Sequence, residues 1–321
     1  MSDAFVDTLE FFPRGMVYVG VGIIVLVLAK LVRDLLTSYS IVEEITKKNN
    51  PALGLSITGY YLGVIIVFVG VLYQPLTVIR DGQWQLSGDF WSDVLEVFLY
   101  AVGGIILLNA SRFLVDRLVL YKFKVDDEII EKQNAGSASV VFGIYIAAAL
   151  IIAAATAGAG SGADAGLTAA DIEAGVVAEV DAVTVVESIL RSLAFFALGM
   201  VVLVLFALFY EFTTSFSVHE EIESNNTAVG VALGGNLIAI GAVTFKAVFG
   251  EFVGWTESVT AFVTFAVIGF ALLYVVRMVV DIVLLPGTKI AHELAVDKNL
   301  GVAFIEGGVV ISTAMILFFA I

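Results

Sequence analysis

The chain has 321 residues, 60% of them hydrophobic and only 15% charged, with 16 Lys and Arg against 31 Asp and Glu for a net charge of −15. A soluble domain carries about 45–50% apolar and roughly 25% charged residues, so a water-soluble fold is excluded and the composition is that of an integral membrane protein. The acidic balance argues against nucleic acid, which needs basic patches, and the lack of cysteine rules out disulfides, thiolate metal sites and cysteine nucleophiles.

The N-terminal stretch MSDAFVDTLEFFPRG is acidic and lacks the basic-then-apolar pattern of a signal peptide, so the first apolar run reads as a retained anchor. A bilayer core of about 30 Å needs roughly 20 apolar residues per helical span. Eight stretches qualify, at 15–36, 52–73, 94–120, 137–157, 185–210, 229–248, 258–285 and 300–321. None shows the ~10-residue alternation of a membrane β-barrel strand, and the predicted fold is all-α and polytopic. The longest connection, Ala157 to Val185, combines Ala, Gly and Ser with Asp164, Asp171, Glu173, Glu179 and Asp181 and has no basic residue. It reads as an acidic extracytoplasmic linker at 161–184 between a first membrane domain, 1–160, and a second, 185–321.

Orientation follows from Lys and Arg, which collect on cytoplasmic loops. The connections after the odd spans hold Lys30, Arg33, Lys47, Lys48, Arg112, Arg117, Lys122, Lys124, Lys132, Arg277, Lys289 and Lys298, while the other side holds only Arg14, Arg80, Arg191 and Lys246. The prediction is a multi-pass protein of the cell membrane with the charged connections in the cytoplasm and both termini outside.

An internal repeat sits on those connections. Asn50, Asn134, Asn226 and Asn299 each stand just before an even-numbered span, with Glu44, Glu128, Glu220 and Glu293 six residues upstream and Gly59, Gly143, Gly235 and Gly308 nine residues downstream. Offsets two and thirteen are also small: Ala52, Gly136, Ala228 and Gly301, then Gly63, Ala147, Ala239 and Ser312. Asn is a preferred N-cap, and Pro51 suits the first helical position. Offsets 2, 9 and 13 fall on one helical stripe, and small residues on one face let membrane helices approach closely. Four two-helix units of one orientation are parallel repeats about an axis along the membrane normal. They are expected as a pseudo-four-fold ring or as two pseudo-two-fold halves, with the even helices inside.

The segments Ile41–Gly63 (IVEEITKKNNPALGLSITGYYLG) and Ser217–Gly241 (SVHEEIESNNTAVGVALGGNLIAIG) resemble the YjfL-type family of bacterial membrane proteins, domain of unknown function 350. The resemblance implies two tandem domains of paired helical hairpins over nearly the whole chain. The copy at Val125–Ala138 departs from it, with Asn134-Ala135-Gly136 in place of Asn-Pro-Ala, and the second and fourth copies lack the doubled Asn. The family brings no established chemistry.

Several residues are candidates for function. The four glutamates form either a cation-concentrating ring at a cytoplasmic mouth or structural partners of helix ends and nearby lysines. Lys30/Asp34, Arg112/Asp116 and Arg277/Asp281 are spaced to pair on one helical face, whereas Glu211 has only Ala207 four residues before it. Glu306, where the other units have Ile57, Val141 and Leu233, is a carboxylate inside a span and so a functional-site candidate, with Arg277 or Arg112 as partner. Asn109 and Asn236 are candidates for bonds between helices. His219 and His292 are taken to share one exposed repeat position rather than to bind metal. No phosphate loop, His-Glu-x-x-His or Gly-x-Ser-x-Gly motif is present, so neither an enzyme nor a cofactor is predicted. The first functional expectation is a channel or transporter for an inorganic cation or small solute, and the alternative is a non-conducting membrane module that binds a partner protein or maintains the envelope. The lipid bilayer is the certain partner; a small cation, a protein partner or a homo-oligomer is left open.

Overall fold

In lipid every backbone N–H and C=O must be satisfied within the protein, so a long apolar run closes its own hydrogen bonds as a helix. The computed structural model describes residues 3–72, 77–80, 83–86, 90–157, 182–249, 252, 254–284 and 287–320. In chain order these form α1 (Asp3–Leu36), α2 (Ile41–Thr46), α3 (Pro51–Leu72), β1 (Thr77–Arg80), β2 (Gln83–Leu86), α4 (Phe90–Leu118), α5 (Val125–Ile130) and α6 (Ala135–Ala157). The second half adds α7 (Ala182–Thr213), α8 (Val218–Glu223), α9 (Thr227–Val248), α10 (Trp255–Val279), a π-helical turn (Val280–Leu284), α11 (Ile290–Ala295) and α12 (Leu300–Ala320). Eight helices (α1, α3, α4, α6, α7, α9, α10 and α12) are long and apolar enough to cross a membrane. Residues 161–181 of the acidic linker, its five carboxylates included, lie outside the described residues, while the remainder to 184 belongs to α7.

The six-residue helices α2, α5, α8 and α11 precede the even spans, so each connection is a structured elbow. One feature departs from expectation. A two-stranded antiparallel hairpin, pairing Thr77 with Leu86 and Arg80 with Gln83, stands between α3 and α4. The sequence between its strands is Asp81-Gly82, a pair that tight hairpins favour.

The core is a row of even-numbered spans, α3–α6–α9–α12. Gly59 lies against Phe142 and Gly70 against Ala153; Gly143 meets Gly234 and Gly241 meets Ala147; Gly235 meets Gly307, and Phe245 meets Phe318. Contacts advance together along both helices in each pair, so neighbours in the row run in the same direction. Glycine is required where backbones touch: a Cβ at Gly143 would lie 2.6 Å from the Gly234 Cα, and one at Gly235 would lie 2.7 Å from the Gly307 Cα. The odd spans pack against the row, α4 on α3 and α6, α7 on α6 and α9, and α10 on α9 and α12, with α1 on α3 and α4. Burial is deepest at the centre, with 78% of the most apolar stretch of α6 and 83% of that of α9 enclosed, against 22% in α1 and α10.

Of the two expected arrangements, the closed ring does not form among the described residues. Among the described residues α3 and α12 make no helix-to-helix contact comparable to the three joints, so the row is open. Packing of α6 on α9 is as close as at the other joints, so the long linker interrupts the chain without separating two packed bodies.

Candidate functional site

Each elbow is built the same way from different residues. Ser40 and Ser217 cap α2 and α8 by accepting from the N–H of Glu43 and Glu220. The residue before each key Asn takes a left-handed backbone, with φ of 49° at Asn49, 50° at Gln133, 61° at Asn225 and 50° at Lys298, which turns the chain into the next span. The Asn N–H then donates back to a glutamate carbonyl: Asn50 to Glu44 (3.1 Å), Asn134 to Glu128 (2.9 Å), Asn299 to Glu293 (2.8 Å), but Asn226 to Glu221 (2.9 Å). The third elbow is therefore one residue shorter. Glu221, not Glu220, matches the other three acids, and Glu220 is exposed. The shift also separates the histidines. His219 is buried, its Nδ1 3.2 Å from a Glu211 carboxylate oxygen and its Nε2 2.5 Å from the Val119 carbonyl, while His292 is exposed, 3.6 Å from Asp297.

The Asn side chains do more than cap. Their Oδ1 atoms accept from Leu53, Ser137, Val229 and both Gly301 and Val302. Their amides reach into the following unit, Asn50 to the Ile129 carbonyl (2.8 Å), Asn134 to that of Ile222 (2.7 Å) and Asn226 to that of Leu294 (2.8 Å). Asn299 donates to its own Glu293 (2.9 Å), as Asn134 does to Glu128 and Asn226 to Glu221. Replacing Asn134 by Ala removes a cap and strands a buried carbonyl, a cost of about 2–4 kcal/mol, whereas Asn299→Ala loses little more than a cap, about 1 kcal/mol. Thermal unfolding in detergent checks this order; equal losses would remove the stapling role.

The repeat acids are engaged within their own elbows. Glu44 pairs with Lys48 and Glu128 with Lys132, both at 2.6 Å, and these bonds to carboxylate hold both ammonium groups above the ordinary lysine range. Hydrogen bonds from the Thr288 hydroxyl and the Asn299 amide hold the Glu293 carboxyl below the usual range.

Glu306 is fully buried. Its Oε1 lies 3.3 Å from Arg277 Nε and 3.4 Å from Asn236 Nδ2, and its Oε2 has no hydrogen-bond partner among the described residues. The Arg277 guanidinium stacks over Tyr210, 4.3 Å from the ring centroid. Four helices (α7, α9, α10 and α12) thus converge on one charge pair. A cavity of about 10 Å³ bordered by Tyr210, Asn236 and Arg277 adjoins it, room for a single water at most. Asp281, the expected partner of Arg277, instead accepts from the Ile290 N–H at 2.9 Å. In the first half Lys30 pairs with Asp34 at 2.7 Å and Arg112 pairs with Asp116, with Asp126 3.6 Å away. Asn109 donates to the Tyr60 hydroxyl, which donates to the Ala29 carbonyl. Sequence reasoning did not single out Tyr60, Tyr210 or the buried Arg33; no motif marks them, because their role depends on which helices meet.

The repeat glycines split by position. Gly59, Gly143 and Gly235 are buried in joints, whereas Gly308 is exposed and a Cβ there would meet nothing within 4 Å. A groove of about 480 Å³ runs along α6, α9 and α12 with Leu55 of α3 at its edge, walled by Phe142, Ile238, Phe304 and Ile311 over a floor of Gly234, Gly235 and Gly307. Its lining is almost all carbon, and it is formed by even spans alone. Among the described residues no cluster of three metal-ligating side chains occurs.

A family model described as Domain of Unknown Function (DUF350) matches residues 7–156 and again 184–321. The chain is 24% identical over 293 residues to the UPF0719 transmembrane protein of Aquifex aeolicus (strain VF5), covering 90% of this chain and 94% of that protein. No solved structure matches.

Proposed function

The chain belongs to the DUF350 family, with two tandem copies of its domain, and from that premise we propose that it is a non-conducting, non-enzymatic membrane module that works by binding an apolar partner in the membrane. The observation that carries this reading is the face of the even-span row: its groove offers hydrocarbon and glycine backbone, with only Ser139 and Thr227 as polar side chains among the described residues that line it. An ion crossing such a surface would forfeit its hydration without replacement ligands, which selectivity filters supply. The acids that could attract a cation are bound within the elbows. The Lys and Arg count supports a cell-membrane location with the elbows in the cytoplasm and both termini outside.

One observation favours the transport reading. Glu306 is a buried carboxylate with an unpartnered oxygen, its neighbours Asn236 and Arg277 border a small cavity, and intramembrane acids commonly serve ion pathways. Reconstitution into liposomes separates the two. The binding-module reading expects flux of K⁺, Na⁺ and H⁺ equal to that of protein-free vesicles, for wild type and Glu306→Gln alike. Flux above background that Glu306→Gln abolishes would overturn it.

A further inference from the structure

The three joints of the row share one heterologous design. One helix contributes the residue nine after its Asn, and its neighbour contributes the residue eight after its own: Gly59 on Phe142, Gly143 on Gly234, Gly235 on Gly307. The polar half is equally directional, the Asn amide of one unit donating to a carbonyl in the short helix of the next. Unlike faces joined head to tail leave an unused half at each end of an open row.

Both unused halves are present and uncovered. On α12 the small stripe continues as Gly301, Gly308 and Ser312, all exposed, although its nine counterparts in the first three units are buried. Asn299 lacks the onward bond that its three counterparts make. On α3, Thr58 and Val69 hold the places that Phe142 and Ala153 hold in α6 and are exposed, and Ile45 in α2 holds the place of Ile129. Elsewhere the outer surface carries many large side chains, such as Leu31, Ile106, Leu205 and Val267. A Gly-Gly-Ser stripe on that surface has the composition of a buried joint, where close backbone approach supplies the packing that lipid does not.

We propose that the protein assembles head to tail through a fourth joint of the same kind. The Gly301–Gly308–Ser312 face of α12 packs on the Thr58–Val69 face of α3 in a second copy, and Asn299 donates to that copy's Ile45 carbonyl. The second copy is the occupant because the interface continues one already used three times within the chain. Faces of this kind close into a ring where the rotation permits. Gly308 also lines the apolar groove, so the inference deepens the binding reading by placing a second copy at the α12 side of that groove; cross-links report the assembly, vesicle flux reports conduction.

The native chain has no cysteine, so engineered thiols report without background. One chain carrying Thr58→Cys and a differently tagged chain carrying Gly308→Cys are co-expressed, and membranes are oxidised. The expected product is a mixed disulfide dimer, with neither single-cysteine chain forming a comparable homodimer. In a chain carrying both substitutions, linked oligomers should form. Absence of intermolecular product, a chain closed only on itself, or homodimers equal to the mixed product would each overturn the proposal. A Cβ at Gly308 meets nothing within 4 Å in its own chain, so Gly308→Leu is compatible with the fold and should lower the dimer fraction on the order of tenfold in light scattering, the effect of about 1.4 kcal/mol; unchanged association would also overturn the proposal.

Discussion

Gly143→Leu will leave no correctly packed protein, while Gly103→Leu on the outer surface of α4 will leave folding intact. The difference lies in what the new side chain meets. At Gly143 the first added carbon already falls 2.5 Å from the Gly234 carbonyl oxygen and 2.9 Å from its carbonyl carbon. Those atoms belong to a helix backbone, which cannot rotate aside as a side chain can. Overpacking a core typically costs 1–3 kcal/mol, and a clash between two backbones at the centre of the row belongs at or above the top of that range; even Gly143→Ala should cost about 3 kcal/mol. A Cβ at Gly103 meets nothing within 4 Å, and replacing Gly in a helix interior relieves roughly 0.5–1 kcal/mol of propensity cost. Unfolding in detergent, together with elution as a single species, compares the two. Normal unfolding of Gly143→Leu would refute the contact of α6 with α9.

Arg277→Ala should be the most damaging single change of a charged residue. It strips the ion-pair partner from the fully buried Glu306, leaving an uncompensated charge at a cost of about 3–5 kcal/mol. Glu306→Gln should cost less, since an amide still accepts from Asn236 and the bereaved Arg277 is partly exposed. Replacing both with Met should recover most of the loss, because two desolvated charges are exchanged for packed hydrocarbon. A double-mutant cycle on unfolding free energies gives the coupling. Additive losses would mean that the two groups do not act as a pair.

Hydropathy made the eight spans legible because lipid permits an apolar run of that length few structures besides a helix. The small stripe disclosed which helices pack closely, and the Asn positions disclosed where they begin. The third elbow was misread for a definable reason. Glu220 and Glu221 are adjacent, so counting back six residues from Asn226 lands on a glutamate even though the elbow is one residue shorter. Only the hydrogen bond from the Asn226 N–H to the Glu221 carbonyl identifies the matching residue, and the pairing of His219 with His292 failed with the same count. The four-residue spacing of Arg277 and Asp281 misled in another way: α10 gives way to a π-helical turn at Val280, and a wider turn breaks the alignment that the spacing assumes.

By itself the sequence determined the membrane class, the number of spans and the contact stripe of α3, α6 and α9, since these depend on local composition and period. Tertiary structure alone decided that the row stays open, that Glu306 chooses Arg277, and that the Asn amides reach across units. Those outcomes depend on how each helix is angled against the next, and residues distant in sequence carry no mark of the crossing that brings them together.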